Sequence, residues 1–358
     1  LNPPNSDQVW RRLKKKPAAM CGLVIIILVI FIAVFGYFLA PDNSPNADAQ
    51  TVEIQAKPAG YRQQFLQLPA AGSVKTGFFK QLIYGKQSIH TWTPISGYTI
   101  KGDSLLVNKY VDEDTSVVQA YSMRSTGITE SNIIHKTYWL GTDKFGRDIL
   151  SRLLIGTRVS LSVGLIAVLI SLTLGILLGA LAGYYRGWID EVIMWLVNVT
   201  WSIPTLLLVF AITMAMGKGF WQIFLAIGLT MWVSVARLIR GQVMAIRELE
   251  YIQAAKAMGM KNSRIIVKQI LPNILGPVLV IAASNFATAI MVEAGLSFLG
   301  IGVQPPQPSW GLMIKENYNF IITNNPMLAL IPGFAIMLLV LAFNLLGNGL
   351  RDAVDVRD

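Results

Sequence analysis

The chain has 358 residues, of which 53% are hydrophobic and 14% charged, with one cysteine and a formal net charge of +10. Water-soluble domains carry about 25% charged residues, so this composition excludes a purely soluble protein. The lone Cys21 excludes an intrachain disulfide and a cysteine-based metal cluster, and the gathering of positive charge into a few short segments argues for membrane sidedness rather than nucleic-acid binding.

Residues 1–20 are a basic N-terminal segment with Arg11, Arg12, Lys14, Lys15 and Lys16. Residues 21–40, Cys21 to Ala40, carry no charge and are long enough as a helix to cross a hydrocarbon core of ~30 Å. The run is too long for the apolar part of a signal peptide, and Pro41 stands where cleavage needs a small residue. An uncleaved signal anchor, forming a first transmembrane helix, is expected.

Residues 41–138 are different material. PDNSPNADAQ reads as a flexible exit rich in turn formers. TVEIQA, KTGFFKQLIYG, YTIKG and SLLVNKYV then carry β-branched and aromatic residues between Gly, Pro and Asp breaks, which predicts strands and an inserted β-rich domain. His90 and His135 lie far apart here, with no carboxylate at ligand spacing, and read as surface histidines.

Residues 139–358 form a helical core, with apolar runs at about 158–183, 190–215, 219–240, 274–300 and 327–350. Within them Gly175, Gly179 and Gly183 make a small-residue stripe that lets helices approach closely. Pro204 removes a helical hydrogen bond and predicts a kink. Arg237, Arg240, Arg247, Lys256, Lys261, Arg264 and Lys268 crowd around one connection, whereas the alternate-side short loops hold only Lys218 and Lys315. The positive-inside bias therefore puts both termini and this connection in the cytoplasm, and residues of about 41–157 outside.

That connection, at about 243–272, reads as two short helices. Leu249 to Met258 is the first, Gly259 closes it in the left-handed region, and Asn262 or Ser263 caps a second that runs through Ile270. Pro272 starts the next span. Physical chemistry alone leaves two readings: a pair resting on anionic headgroups, or a handle whose small residues enter another protein's groove.

The segment resembles the cytoplasmic loop of binding-protein-dependent ABC importer permeases, whose pattern is Glu-Ala-Ala, three residues, Gly, nine residues, Ile, one residue, Leu-Pro. Here the run is Gln253-Ala254-Ala255, Gly259 and Leu271-Pro272, with Gln253 where Glu is usual and Ile270 one place later than the usual Ile. Three further stretches resemble the dipeptide and oligopeptide permease branch: GTDKFGRD from Gly141 to Asp148, EAGLSFLGIG from Glu293 to Gly302 followed by Pro308-Ser309-Trp310-Gly311, and Gly349-Leu350-Arg351-Asp352-Ala353 with Asn348 where Asp is usual.

The resemblance implies an all-α polytopic permease of six transmembrane helices, carrying the β-rich segment as an extracytoplasmic insertion. It implies a second permease subunit, two cytoplasmic ABC ATPases and an extracytoplasmic substrate-binding protein as partners. ATP and Mg are expected on the ATPases rather than on this chain, which has no G-x-x-x-x-G-K-[ST] run and no enzyme constellation of its own. Gln253, Ala254, Ala255, Gly259, Leu271 and Pro272 would form the ATPase-coupling loop. The implied cargo is a dipeptide or oligopeptide; nickel chelates or another small solute are the alternative within the class. An ion-coupled secondary transporter is the rival from another class, and would be expected to show paired intramembrane carboxylates.

Asn198, Trp201, Ser202, Ser284, Asn285 and Thr288 are candidate pathway contacts, weighed against ordinary interhelical hydrogen bonding. Glu293 lies well inside a span, about 10 Å by helical rise from its outer end, and reads either as pathway chemistry or as a structural hydrogen bond. Asp143, Arg147 and Asp148 read as capping and local ion pairing. Trp310 and Tyr318 suit an aromatic belt.

Overall fold

The structure is a computed structural model that describes residues 6–69, 77–86, 90–217, 219–322 and 325–354. In chain order the helices are α1 (Ser6–Lys14), α2 (Pro17–Leu39), α3 (Phe78–Tyr84), α4 (Met123–Thr126), α5 (Ile149–Tyr185), α6 (Gly187–Trp201), α7 (Thr205–Met216), α8 (Phe220–Arg247), α9 (Glu250–Ala257), α10 (Asn262–Ile265), α11 (Leu275–Phe298), α12 (Trp310–Asn317) and α13 (Met327–Val354). The strands are β1 (Tyr61–Pro69), β2 (His90–Lys101), β3 (Ser104–Tyr110), β4 (Ser116–Ser122) and β5 (Ile133–Tyr138). The chain divides into two compact units, one of Leu1–Ile30, Ser160–Gln304 and Phe334–Asp358, the other of Phe31–Val159 and Pro305–Gly333.

Among the described residues, five helices are long and apolar enough to cross a membrane: Pro17–Leu39, Ile149–Tyr185, Phe220–Arg247, Asn262–Phe298 and Met327–Val354. Lipid offers the backbone no hydrogen-bond partner, so even sequences rich in Val and Ile, such as that of α2, become helical there. The pair α6 and α7 makes a sixth span only if both are counted together, because the chain bends by 93° between them. The expected single helix with a kink is thus corrected to two helices around a break. Pro204 takes extended angles, φ −54 and ψ 127, and neither half is long enough alone, at about 22 and 18 Å, to cross ~30 Å of hydrocarbon.

In the first unit the glycine stripe packs α5 against α8. A Cβ at Gly175, Gly179 or Gly183 would collide with Val235, Ala236 or the Arg240 carbonyl respectively. Gly22 likewise sits against the Ala342 carbonyl of α13, and Gly349 against Ala19 of α2. Arg240 of α8 also meets Asp190 of α6 in a two-pronged pair at 2.5 and 2.6 Å.

In the second unit the strands form one antiparallel sheet in the order β4-β3-β2-β1-β5. Leu66, Ile95, Leu105, Val107 and Ile128 fill one side, and Ile54, Phe65, Tyr110 and Tyr138 another. The β-rich expectation therefore reduces to a small sheet. Two of its expected strands are helical: Val52–Ile54 is a single 3-10 turn, and FFKQLIY is α3. Gly77 and Gly85 bound α3 and free it from the ladder, so aromatic content alone misled. His135 pairs with Gln64 and His90 with Pro69 on β1, five residues or about 16 Å apart, which separates the two positions. The His90 side chain lies outside the described residues.

Because a Cβ at Gly179 would lie 2.5 Å from the Ala236 carbonyl, Gly179→Ile is expected to force α5 off α8 at a cost of about 1–3 kcal/mol or more. Thermal unfolding in detergent reads this directly; an unchanged melting temperature would refute the close approach.

Candidate functional site

The segment between α8 and α11 is built around α9, only eight residues long. Ile252 and Ala255, three apart, are buried, together with Val243, Ile265, Ile266 and Ile270. Gln253 and Ala254 face outward, with Tyr251 and Met258 exposed on the same side at helical spacing. The helix ends in a Schellman motif: Met260 N–H donates to the Ala255 carbonyl at 3.1 Å, Gly259 N–H donates to Lys256 at 3.0 Å, and Gly259 has φ +76. Met260 also packs against the cluster that holds Ala255.

The segment is tied to its neighbours by polar bonds. Arg247 donates to the Tyr184 carbonyl at 2.5 Å, and the Tyr184 hydroxyl donates to Asn262 at 2.8 Å. Arg186 pairs with Glu248 at 2.7 Å. Gln253 donates through its amide nitrogen to the Arg247 carbonyl at 2.9 Å, a bond that a carboxylate at this position would not make. The expected second helix through Ile270 is corrected. Neither Asn262 nor Ser263 caps it; Lys261 holds that position without a side-chain bond. The helical path instead widens into a π turn over Ile266–Ile270 and tightens into a 3-10 turn over Leu271–Ile274 that contains Pro272, then runs directly into α11. Leu271 packs on the buried cluster, and Pro272 is exposed.

The pathway candidates fall into separate places. Asn198 accepts from Arg237 at 3.1 Å, and the same guanidinium lies 3.7 Å from the Trp201 ring centroid, so both hold Arg237 of α8. Ser202 bonds back to the Val199 carbonyl at 2.7 Å. Ser284 and Thr288 share an exposed face of α11, with Thr288 donating to the Ser284 carbonyl at 3.1 Å. Ser284 also lines a cavity of about 520 Å³ together with Leu238, Gln242, Pro277, Arg351 and Val354. Asn285 is buried, as is Glu293. Glu293 accepts from the Ser297 hydroxyl at 2.7 Å, and Ser297 accepts from Val303 N–H at 3.0 Å, so the carboxylate anchors the loop after α11.

In the second unit GTDKFGRD meets Asp48, Arg152 and Glu316 of α12 in a buried ion cluster. Asp143 accepts from Phe145 N–H at 2.9 Å and from Arg147 N–H at 3.0 Å, and from the Arg147 Nε at 2.7 Å. Arg147 also reaches Asp48 at 3.0 Å and Glu316 of α12 at 2.8 Å, and Arg152 reaches the same Glu316 oxygen at 2.9 Å. Burial pulls the Arg147 guanidinium down, but the Asp143 and Glu316 carboxylates outweigh it and hold it above its ordinary value. Asp148 caps α5 by accepting from Ser151 N–H at 3.0 Å, and burial pushes its carboxyl above the usual range against the Ser151 bonds. Trp310 is buried, with its indole N–H donated to the Leu153 carbonyl at 3.0 Å, which corrects the aromatic-belt expectation for that residue. Sequence reasoning missed Arg152, Glu316 and Asp48; the one available signal was a charged pair, Lys315-Glu316, inside a short apolar helix.

These features, five long apolar helices, a bent sixth and a short helical connection after α8, define a multi-spanning membrane protein. Residues 175–357 match the family described as binding-protein-dependent transport system inner membrane component, and residues 6–58 match the N-terminal transmembrane domain of oligopeptide transport permease C. The chain is 40% identical over 98% of its length to a dipeptide transport system permease protein of Bacillus subtilis, covering 85% of that protein. It is 47% identical over 61% of its length to a dipeptide transport system permease protein of Alkalihalophilus pseudofirmus, and 43% identical over 61% to a glutathione transport system permease protein of Pectobacterium atrosepticum, covering 71% and 72% of them. The chain belongs to the binding-protein-dependent transport system inner membrane component family. That membership disfavours the secondary-transporter rival, and the Bacillus subtilis alignment takes in the sheet-forming segment.

Two outcomes follow from this geometry. Removing Glu316 takes from Arg147 and Arg152 one of their two shared buried carboxylates and leaves Arg152 only the longer 3.6 Å contact with Asp143, so Glu316→Ala is expected to cost about 3–5 kcal/mol in thermal unfolding, against about 1 kcal/mol or less for Asp352→Ala in the exposed pair with Lys16. Equal effects of the two substitutions would contradict the buried cluster. At Gly259 nothing lies within 4 Å of an added Cβ, so the penalty is purely backbone. Gly259→Asn should be tolerated and Gly259→Val should lose about 1–2 kcal/mol and fray α9, which limited proteolysis at 256–261 would detect.

Proposed function

We propose that this chain is one of two transmembrane subunits of an ATP-driven importer of dipeptides or oligopeptides. Two ABC ATPases carry ATP and Mg and dock on the segment from Glu248 to Ile274, and an external binding protein delivers cargo. The observation that carries this reading is α9. Its inner face is locked into a buried cluster and its end closed by Gly259, while Ala254 stands outward between Tyr251 and Met258 in reach of a partner groove. Exposed Lys256, Lys261, Arg264 and Lys268 surround it and suit the cytoplasmic side.

On this reading both termini are cytoplasmic and the sheet of β1–β5 is extracytoplasmic, where it meets the binding protein. Ser284 and Thr288 on α11, with Asn198, Trp201 and Ser202 on α6, offer weak polar contacts to a cargo that must be released. Asn285 and Glu293 support those helices from within. The cargo class is supported by relatives that are named for dipeptides.

The test is recovery of the tagged chain from native membranes in mild detergent, with partners identified by mass spectrometry. A second permease and P-loop ATPases are expected, and Ala254→Arg, which fills the outward face of α9 without touching its buried one, should remove the ATPases while retaining the permease. Folded chain recovered without any ATPase, or ATPase retained by Ala254→Arg, would overturn the docking assignment.

A further inference from the structure

Helix α3 is out of place in a water-facing segment. Phe78, Phe79, Ile83 and Tyr84 are all exposed, Phe79 by 77% and Tyr84 by 65%, although helices outside a membrane bury such side chains. At 100° per residue these four point around most of the helix rather than along one flat stripe, a poor shape for a protein groove.

The backbone of α3 is nevertheless firmly held at the C-terminal end of α2. The Phe78 ring stacks on Phe38 with centroids 5.3 Å apart. Lys86 N–H donates to the Asn43 carbonyl at 2.8 Å, and a Cβ at Gly85 would strike the Tyr37 ring. Arg158 of α5 donates to the Leu82 and Ile83 carbonyls at 3.0 and 3.2 Å, satisfying the open end of α3. Phe38 is the last of an exposed aromatic row on α2, Phe31, Phe35 and Phe38, at helical spacing. The stacked Phe78 continues that row off the end of the span. Exposed Lys80 and Lys86 flank it, the pairing of aromatic anchors with cations that marks the headgroup layer.

We infer that α3 is an interfacial anchor embedded in the lipid headgroup layer at the C-terminal end of α2, holding the sheet-bearing segment against the bilayer through its aromatic side chains and through Lys80 and Lys86 on lipid phosphates. The inference rests on α2 crossing the membrane.

The test places single nitroxide labels in a Cys21→Ala background at Phe79→Cys, at Val34→Cys on the exposed face of α2 and at Asp114→Cys in the β3–β4 turn. The full chain, with the subunits that co-purify, is reconstituted in phosphatidylcholine and phosphatidylglycerol vesicles, and collision with oxygen is compared with collision with a water-soluble nickel chelate. Position 79 is expected to favour oxygen as position 34 does, and position 114 to favour nickel; Tyr84→Cys gives the same readout if Phe79→Cys does not assemble. Nickel preference at 79 would overturn the inference, as would closure of 79 to both reagents, which would mean a protein covers it. Oxygen preference at 34 alongside either result leaves the span intact and sinks only the anchor. Loss of oxygen preference at 34 would overturn the span and the anchor together.

Discussion

A backbone in hydrocarbon has no water to bond with, and this constraint orders the whole chain. Where the peptide runs through lipid it must be helical, and each departure from the helix needs its own means of satisfying or dispensing with amide groups. At Ser202–Pro204 the residue that breaks the helix brings no N–H. After α11, the chain of Glu293, Ser297 and Val303 N–H holds the returning loop. One oxygen of the buried Glu293 is thereby engaged by Ser297.

The same economy explains why charge is tolerated in the second unit. Asp48, Asp143 and Glu316 against Arg147 and Arg152 would each be costly to bury alone, and together the guanidinium forks satisfy several carboxylate oxygens at once. Such a cluster adds little net stability compared with apolar packing. What it imposes is a cost on separation, since moving the 48, 143–152 or 316 segment away from the others leaves a buried charge unpaired. Gly141 and Gly146, with φ +84 and +71, let this turn press on the Lys57 and Thr51 carbonyls, where a side chain would not fit.

Much of this was legible in residue order. The spans are visible because lipid demands long uncharged runs, and the helix pairing at Gly175, Gly179 and Gly183 because close approach demands small residues at a fixed interval. Gly259 was legible as a helix end because few residues adopt its φ. What escaped was non-local. Glu316 lies 169 residues from Arg147, and nothing local distinguishes it from a surface acid. The misreading of 78–84 as a strand has a related cause: Phe, Ile and Tyr favour strands on average, but two flanking glycines and contacts with α2 and α5 decided the matter. Ser202 and Thr288 were visible as polar residues in spans, yet their hydroxyls bond their own helices, an option that sequence cannot separate from a cargo contact.

The attachment of α9 to its neighbours bears on how a small helix could act on long ones. Ile252 and Ala255 share one buried cluster with Val243 near the end of α8 and with Ala180 and Tyr184 near the end of α5. Arg247, Tyr184 and Asn262 bond these ends to one another. Close-packed interiors have low compressibility, so a displacement applied at the outward face of α9 is passed to α5 and α8 as a body instead of being absorbed locally. Toward α11 the connection differs. The path widens at Ile266–Ile270 and tightens at Leu271–Ile274 around Pro272, with fewer ideal backbone bonds than an α-helix provides. The packing nevertheless reaches α11 as well, since Ile274 and Val278 belong to the same buried cluster, and α11 is the helix that presents Ser284 and Thr288.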